Sequence, residues 1–132
     1  MSDRLRRTNP ETLHQPTGYT HIVEVLPGRV AYISGQVAFN QAGELVGEGD
    51  IVAQTRQVFE NIQAALKALG AGFGDVIKLN YYAVDATRLA EIRQVRSEFL
   101  KGPSPASTFV MVKGLVLPSL LIEIEAVVAL PG

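Results

Sequence analysis

The sequence predicts an α+β fold in which two helices cover one face of a mixed sheet. Two amphipathic helical segments are separated by a short apolar strand, and further strand-like runs precede and follow them. Strands and helices do not alternate strictly, which argues against a doubly wound parallel sheet. In chain order we expect two strands, an optional third, a helix, a strand, a helix and two final strands.

The first part of the chain is predicted to hold an arm and a hairpin. Residues 1–18 are polar, contain two prolines, and are expected to form an arm without regular periodicity. Strands are expected at 21–26 and 29–34, because Pro27-Gly28 between them favours a tight turn. The glycine-rich, acidic segment 41–49 is predicted to be a loop or the optional short hairpin.

The first helix has a regular apolar stripe. Asp50 is the expected N-cap, and Gly70 suits the C-terminal cap because glycine accepts a left-handed conformation. Between these caps, core-facing residues recur every three or four positions, at Ile51, Thr55, Val58, Ile62, Leu66 and Leu69.

The second half of the chain continues with a strand at 76–84 and a second helix capped by Thr87. Final strands are predicted at 108–112 and 121–130. The helices leave the other face of the sheet without cover, so that face must be polar or buried by a partner. Apolar strand residues favour burial in a homo-oligomer, among them Val25, Ile33, Leu79, Val110 and Val112.

The amino-acid composition limits the partners and the kinds of site chemistry that the chain can support. The 132 residues are 47 % hydrophobic and 19 % charged, as expected for one packed domain spanning 1–132. The net charge is −1 and basic residues are scattered, so we expect no nucleic-acid partner. The chain has no cysteine, which excludes thiolate chemistry, and His14 and His21 are too few for most histidine metal sites.

No targeting or membrane segment is predicted. The N-terminus has no apolar signal region, and no stretch approaches the roughly 18 apolar residues of a membrane span. We therefore expect a cytoplasmic protein without a membrane partner.

Two carboxylates lie inside the last apolar strand, in the run Ile122-Glu123-Ile124-Glu125-Ala126. Because successive strand residues point to opposite faces, Glu123 and Glu125 share one side of the sheet. That side is therefore either exposed to water or part of a site.

Several short motifs follow one another between Gly18 and Val128 in a family order. They are Ser34-Gly35-Gln36, Gln54-Thr55, Asn61-Ile62, Asp75-Val76-Ile77-Lys78, Tyr82 with Asp85, Pro105-Ala106, and Ile122-Glu123-Ile124-Glu125-Ala126. Together they resemble the Rid (reactive intermediate deaminase, YjgF-like) family. The resemblance implies a chorismate-mutase-like sandwich with a six-stranded mixed sheet and two helices on one face. It also implies a homotrimer whose sheets form an inner barrel, with ligand clefts between subunits.

The resemblance further implies an activity, the hydrolysis of small imines and enamines to a carbonyl compound and ammonia, without a metal or organic cofactor. The family substrate 2-iminopropanoate would yield a 2-oxo acid. By the same resemblance, Tyr19 matches a cleft tyrosine, Ser34 and Gly35 match a ligand-lining turn, and Glu123 matches the carboxylate that orients or activates water.

The chain departs from the family pattern at one important position. Active members have an arginine after the Pro-Ala pair, which binds the substrate carboxylate, and this chain has Ser107 there. A hydroxyl replaces neither the charge nor the bidentate geometry of a guanidinium. Arg93 stands where the family usually has asparagine, and would restore a positive charge if it entered the cleft.

Two classes of function follow from this departure. The first is hydrolysis with Glu123 as the catalytic residue and a neutral or differently charged substrate. The second is a non-catalytic trimer that binds a small metabolite or acts as a chaperone. In both classes the expected ligand-binding residues are Tyr19, Ser34, Gly35, Arg93 and Ser107.

Overall fold

A computed structural model of the chain describes residues 4–12, 15–16 and 19–130. Its elements are β1 (Leu5–Thr8), β2 (Ile22–Val25), β3 (Val30–Gln36), α1 (Ile51–Ala68), β4 (Val76–Ala83), α2 (Leu89–Phe99), β5 (Ala106–Met111) and β6 (Ile122–Ala129). Short 3₁₀ turns at Phe73–Asp75 and Ala86–Arg88 lead into β4 and α2.

The described residues form the α+β fold that the sequence predicts, with six strands and two α-helices. Hydrogen bonds divide the strands between two sheets, rather than the single six-stranded sheet that we expected. The larger sheet is mixed, in the order β3-β6-β4-β5, and the smaller is an antiparallel ribbon of β1 and β2. The parallel pair is β4 and β5, which α2 connects.

The hairpin predicted around Pro27-Gly28 is wrong. Strand β2 pairs with β1, in a segment that we expected to be an irregular arm, and β3 pairs with β6. The Leu26 N–H donates to the carbonyl of Arg4 at 2.6 Å, whereas the Leu130 N–H donates to the carbonyl of Arg29 at 2.8 Å. The turn therefore carries the chain from one sheet to the other.

Helix α1 begins and ends as predicted, but Leu69, which we expected on its core-facing stripe, is the C-cap residue and is 37 % exposed. The Asp50 carboxylate accepts from the Ala53 N–H at 3.1 Å, and Gly70 follows the last turn with a φ of 70°. The cap predicted for the second helix is wrong, because α2 begins at Leu89. Thr87 instead donates to the Asp85 carboxylate from its N–H and its hydroxyl, and these bonds lower the pKa of Asp85.

Both helices pack on the same face of the larger sheet. Phe59 of α1 stacks on Phe99 of α2 with ring centroids 5.3 Å apart, and both helices contribute to one core with the strands. Ile33 and Leu79 lie on this helix face and are buried, so they are not available to cover the other face as we had expected.

We term the opposite side of the larger sheet the open face, because none of the described residues forms a helix that packs on it. It carries polar side chains and an exposed aromatic, namely Tyr32, Ser34, Asn80, Tyr82, Glu123 and Glu125. Within the described ranges, no helix is long and apolar enough to cross a membrane.

Candidate functional site

The predicted site residues lie in two groups on opposite faces of the larger sheet. Ser107 pairs with the buried Leu79 in the parallel register, which places its side chain on the helix face. Glu123 pairs with Tyr82 and lies on the open face, as do its neighbours Ser34 and Gly35. A single chain therefore separates Glu123 from Ser107 by the thickness of the sheet.

The first group surrounds a cavity of about 160 Å³, which we term the Ser107 cavity. It lies beside β5 and α2, and the predicted residues Tyr19, Arg93 and Ser107 all line it. Two polar residues that we did not predict also contribute, Tyr81 from β4 and Arg96 from α2. Its remaining walls are apolar and come from Leu89, Ile92 and Phe109.

Hydrogen bonds hold the segment that carries Tyr19 against the start of β5. The Thr20 N–H donates to the carbonyl of Pro105 at 3.0 Å, and the Thr20 hydroxyl donates to the carbonyl of Ser104. The Tyr19 ring meets the His21 ring edge-on, with centroids 5.3 Å apart. His14, the other histidine of the chain, lies outside the described residues.

Tyr81 is the most enclosed polar residue of the Ser107 cavity. Its side chain is stacked on Phe109, and only 2 % of the residue is exposed. Burial raises the pKa of Tyr81 to about 12, although the nearby Arg96 guanidinium partly opposes this effect. The hydroxyl is consequently neutral, and able to donate a hydrogen bond, at every physiological pH.

We expect this burial to appear as a loss of stability in alkali. Tyr81 binds its proton more tightly in the folded chain than in the unfolded one, where its pKa is near 10.0. Its contribution is therefore present below pH 10 and is lost as the pH rises towards 12, by about 3 kcal/mol in total. Urea unfolding across this range should show a smaller loss of stability for Tyr81→Phe than for wild type. Equal losses would contradict the burial of the hydroxyl.

The second group of site residues meets at a β-bulge. The register between β3 and β6 shifts between Ile33 and Gln36, and this shift contains Ser34 and Gly35. Bulges of this kind often re-aim side chains beside active sites. A Cβ on Gly35 would lie 2.7 Å from Cδ and 2.9 Å from Cγ of Glu123, so the carboxylate rests directly on the glycine.

Glu123 and Glu125 share the open face, as the strand alternation predicts, but their surroundings differ. Oε2 of Glu125 accepts hydrogen bonds from Nδ2 of Asn80 at 3.0 Å and from the Tyr82 hydroxyl at 2.8 Å. The second bond raises the pKa of Tyr82, because the carboxylate stabilises the protonated phenol. Glu123 accepts no hydrogen bond from any described residue, so its carboxylate remains available to a ligand or a water molecule.

Sequence reasoning missed Arg96 and Tyr81, although both had a usable signal. Arg96 follows Arg93 by three positions, a spacing that places two residues on one face of a helix. Tyr81 lies two positions after Leu79 in β4 and therefore on the same buried face.

Comparisons with known proteins agree with this fold. Residues 11–130 match the family model described as Endoribonuclease L-PSP. A RutC family protein of Pyrococcus horikoshii is 39 % identical over 119 residues, which cover 89 % of this chain and 91 % of the relative.

Two solved structures extend the comparison. The Rid family protein YyfB of Yersinia pestis is 43 % identical, has a TM-score of 0.89, and covers 96 % of this chain and 99 % of its own. TdcF of E. coli, solved with bound serine, is 30 % identical with a TM-score of 0.70, covering 77 % and 81 % of the two chains. The chain belongs to the YjgF/Rid family, to which the Endoribonuclease L-PSP model corresponds.

Proposed function

We propose that the protein is a homotrimer that hydrolyses small imines or enamines in clefts between its subunits. Each cleft would combine the Ser107 cavity of one subunit with the Ser34–Gly35 bulge and Glu123 of its neighbour. The observation that carries the proposal is the Glu123 carboxylate, which rests on Gly35 and accepts no hydrogen bond from the described residues.

The division of the site residues between two faces supports an intersubunit cleft. In a cyclic oligomer the contacts between neighbours are head-to-tail, so one surface of each subunit meets a different surface of the next. Such a ring brings the helix side of one sheet edge towards the open face of another chain. Glu123 and Ser107, which the sheet separates within one chain, can then face the same ligand.

The open face also supports an oligomer, because it exposes apolar groups without cover. Tyr32 is 79 % exposed and Val110 is 39 % exposed, and both lie on strands of the larger sheet. Exposed apolar patches on a folded domain commonly mark interaction surfaces. A neighbouring subunit would bury them.

Hydrolysis of an imine requires water to be activated and directed at one carbon atom. The oxygen of water attacks the C=N carbon while the Glu123 carboxylate takes one of its protons. The carboxylic acid so formed returns this proton to the nitrogen, which gives a carbinolamine. The hydroxyl of the carbinolamine then gives its proton to the carboxylate, which passes it to the nitrogen; the C–N bond breaks, C=O forms and ammonia leaves. Hydroxyls of Ser34 and Ser107 would hold the remainder of the ligand, one from each side of the proposed cleft.

One of the solved relatives supports a small ligand. TdcF was solved with bound serine, a molecule of the size that the Ser107 cavity accommodates. RNA cleavage, which the family description names, is less well supported here. The net charge is −1 and the basic residues are scattered along the sequence, unlike the clustered basic residues that follow a phosphodiester backbone.

The proposed activity is tested by ammonia release from imines generated in situ by an amino-acid oxidase. We expect wild-type protein to accelerate ammonia release from 2-iminopropanoate, or from an uncharged imine, above the spontaneous rate. A panel of imines without any acceleration, measured on protein that still binds a small carbonyl compound, would overturn hydrolysis in favour of a non-catalytic binding protein.

A further inference from the structure

The Ser107 cavity collects positive charge that no described carboxylate neutralises. Arg93 and Arg96 both line it and lie three residues apart on α2. At the start of the same helix Arg88 forms a bidentate pair with Glu91, at 2.5 and 2.6 Å. Within the described ranges, neither Arg93 nor Arg96 forms an ion pair with an acidic residue. The cavity therefore presents guanidinium groups without a counterion.

The Tyr81 hydroxyl adds a second buried donor beside the Arg96 guanidinium. It is buried at the cavity, and although the Arg96 guanidinium can donate to its oxygen, its own proton has no acceptor among the described residues. Buried donors without an acceptor are rare in folded proteins, and a bound ligand is one way to supply the acceptor. The Arg96 guanidinium lies close enough to influence this hydroxyl, so the two donors converge.

The size and walls of the cavity limit what it can bind. Its volume of about 160 Å³ resembles that of an engineered protein cavity, about 150 Å³, which holds benzene. A ligand of about six non-hydrogen atoms therefore fits. Leu89, Ile92 and Phe109 would contact a short apolar chain, while Arg96, Tyr81 and Ser107 offer donors to a planar group with two acceptor oxygens.

We infer that Arg96, with the hydroxyls of Tyr81 and Ser107, binds the carboxylate of a small monocarboxylic acid in the Ser107 cavity. Arg96 of helix α2 would thus supply the positive charge that is missing at position 107, where this chain has serine. The inference rests on the proposed function for the identity of the cleft, and it revises the expectation of a neutral substrate. Arg93, which is more exposed, would attract the anion without being fully buried by it.

Calorimetric titration tests this inference without relying on turnover. The probes are 2-oxobutanoate and its uncharged analogue 2-oxobutanamide, which differ in charge and hardly in size. We expect wild type to bind the acid at least about 10-fold more tightly than the amide. The Arg96→Met variant should lose about 10- to 100-fold in affinity for the acid and little for the amide. The variant Tyr81→Phe should show a smaller loss, again confined to the acid.

The matched control is Arg88→Met, which removes an arginine of the same helix that is already paired with Glu91. It should bind both probes as wild type does.

Equal binding of acid and amide by wild type, unchanged affinity in Arg96→Met, or no binding of either probe would overturn the inference. If Arg96→Met unfolds, the result for Tyr81→Phe decides. If the protein binds the acid but releases no ammonia from imines, the proposed hydrolysis is wrong and this inference stands. If Arg96→Met releases ammonia as fast as wild type, this inference is wrong and the proposed hydrolysis stands.

Discussion

Replacing Glu123 by glutamine is expected to lower the rate of ammonia release from 2-iminopropanoate about 100-fold or more. The amide has the shape of the carboxylate but cannot accept a proton from water, and a positioned general base contributes about 10²- to 10⁴-fold to a reaction rate. Affinity for 2-oxobutanoate should change little, because the change does not alter the Ser107 cavity. The measurement compares initial rates and binding for the two purified proteins.

Glu125→Gln is the matched control for this prediction. It makes the same change two residues along the same strand face, at a carboxylate that Asn80 and Tyr82 already engage. Its rate should remain within a few-fold of wild type. A second variant, Gly35→Ala, should lose activity although Glu123 is retained, because the new methyl group occupies the place of the carboxylate. If Glu123→Gln and Glu125→Gln lose activity equally, Glu123 has no special role as a base.

The largest effect on stability is expected for Gln54→Ala, which should lower the free energy of unfolding by about 3 to 5 kcal/mol. Gln54 is fully buried on α1. Its Nε2 donates to the carbonyls of Gly47 and Ser119 at 3.1 and 2.9 Å, and its Oε1 accepts from the Leu121 N–H at 2.9 Å. Alanine would leave these three backbone groups in the interior without their partner.

Urea unfolding of Gln54→Ala against Gln63→Ala measures this effect. Gln63 is an exposed residue of the same helix, so its replacement should change stability by less than about 0.5 kcal/mol. A loss below about 1 kcal/mol for Gln54→Ala would show that the three hydrogen bonds contribute little. Because Gln54 fixes the segment that enters β6, the variant should also impair the positioning of Glu123.

Local patterns predicted the parts of the fold that local interactions determine. The stripe of α1 spans a single segment with its own caps at Asp50 and Gly70, and sequence spacing specified it closely. The hairpin at Pro27-Gly28 failed because strand pairing depends on distant partners. Strand β1 contains few apolar residues from which its pairing with β2 could be predicted. The partner of β3 is β6, which lies at the other end of the chain.

The residues of the candidate site likewise divide into those that local patterns predict and those that depend on distant partners. Strand alternation placed Glu123 and Glu125 together on one face, and the alternation of β4 could also have placed Tyr81. The sequence could not show that Ser107 lies on the other face from Glu123, since this depends on the register of β5 and β6 against β4. The role of Arg96 depends on a cavity formed by four separate segments, for which no short motif exists.

Complementation between two inactive variants tests the intersubunit cleft most directly. Glu123→Gln damages one half of the cleft and Ser107→Phe, which fills the cavity, damages the other. In randomly mixed trimers, about one quarter of the clefts would combine an intact Ser107 cavity from a Glu123→Gln subunit with an intact Glu123 from a Ser107→Phe neighbour. Co-expression should therefore restore about a quarter of wild-type activity. Co-expression of wild type with the double variant should give the same quarter. If the first mixture stays inactive while the second retains about half of the activity, each site lies within one chain and the proposed cleft is wrong.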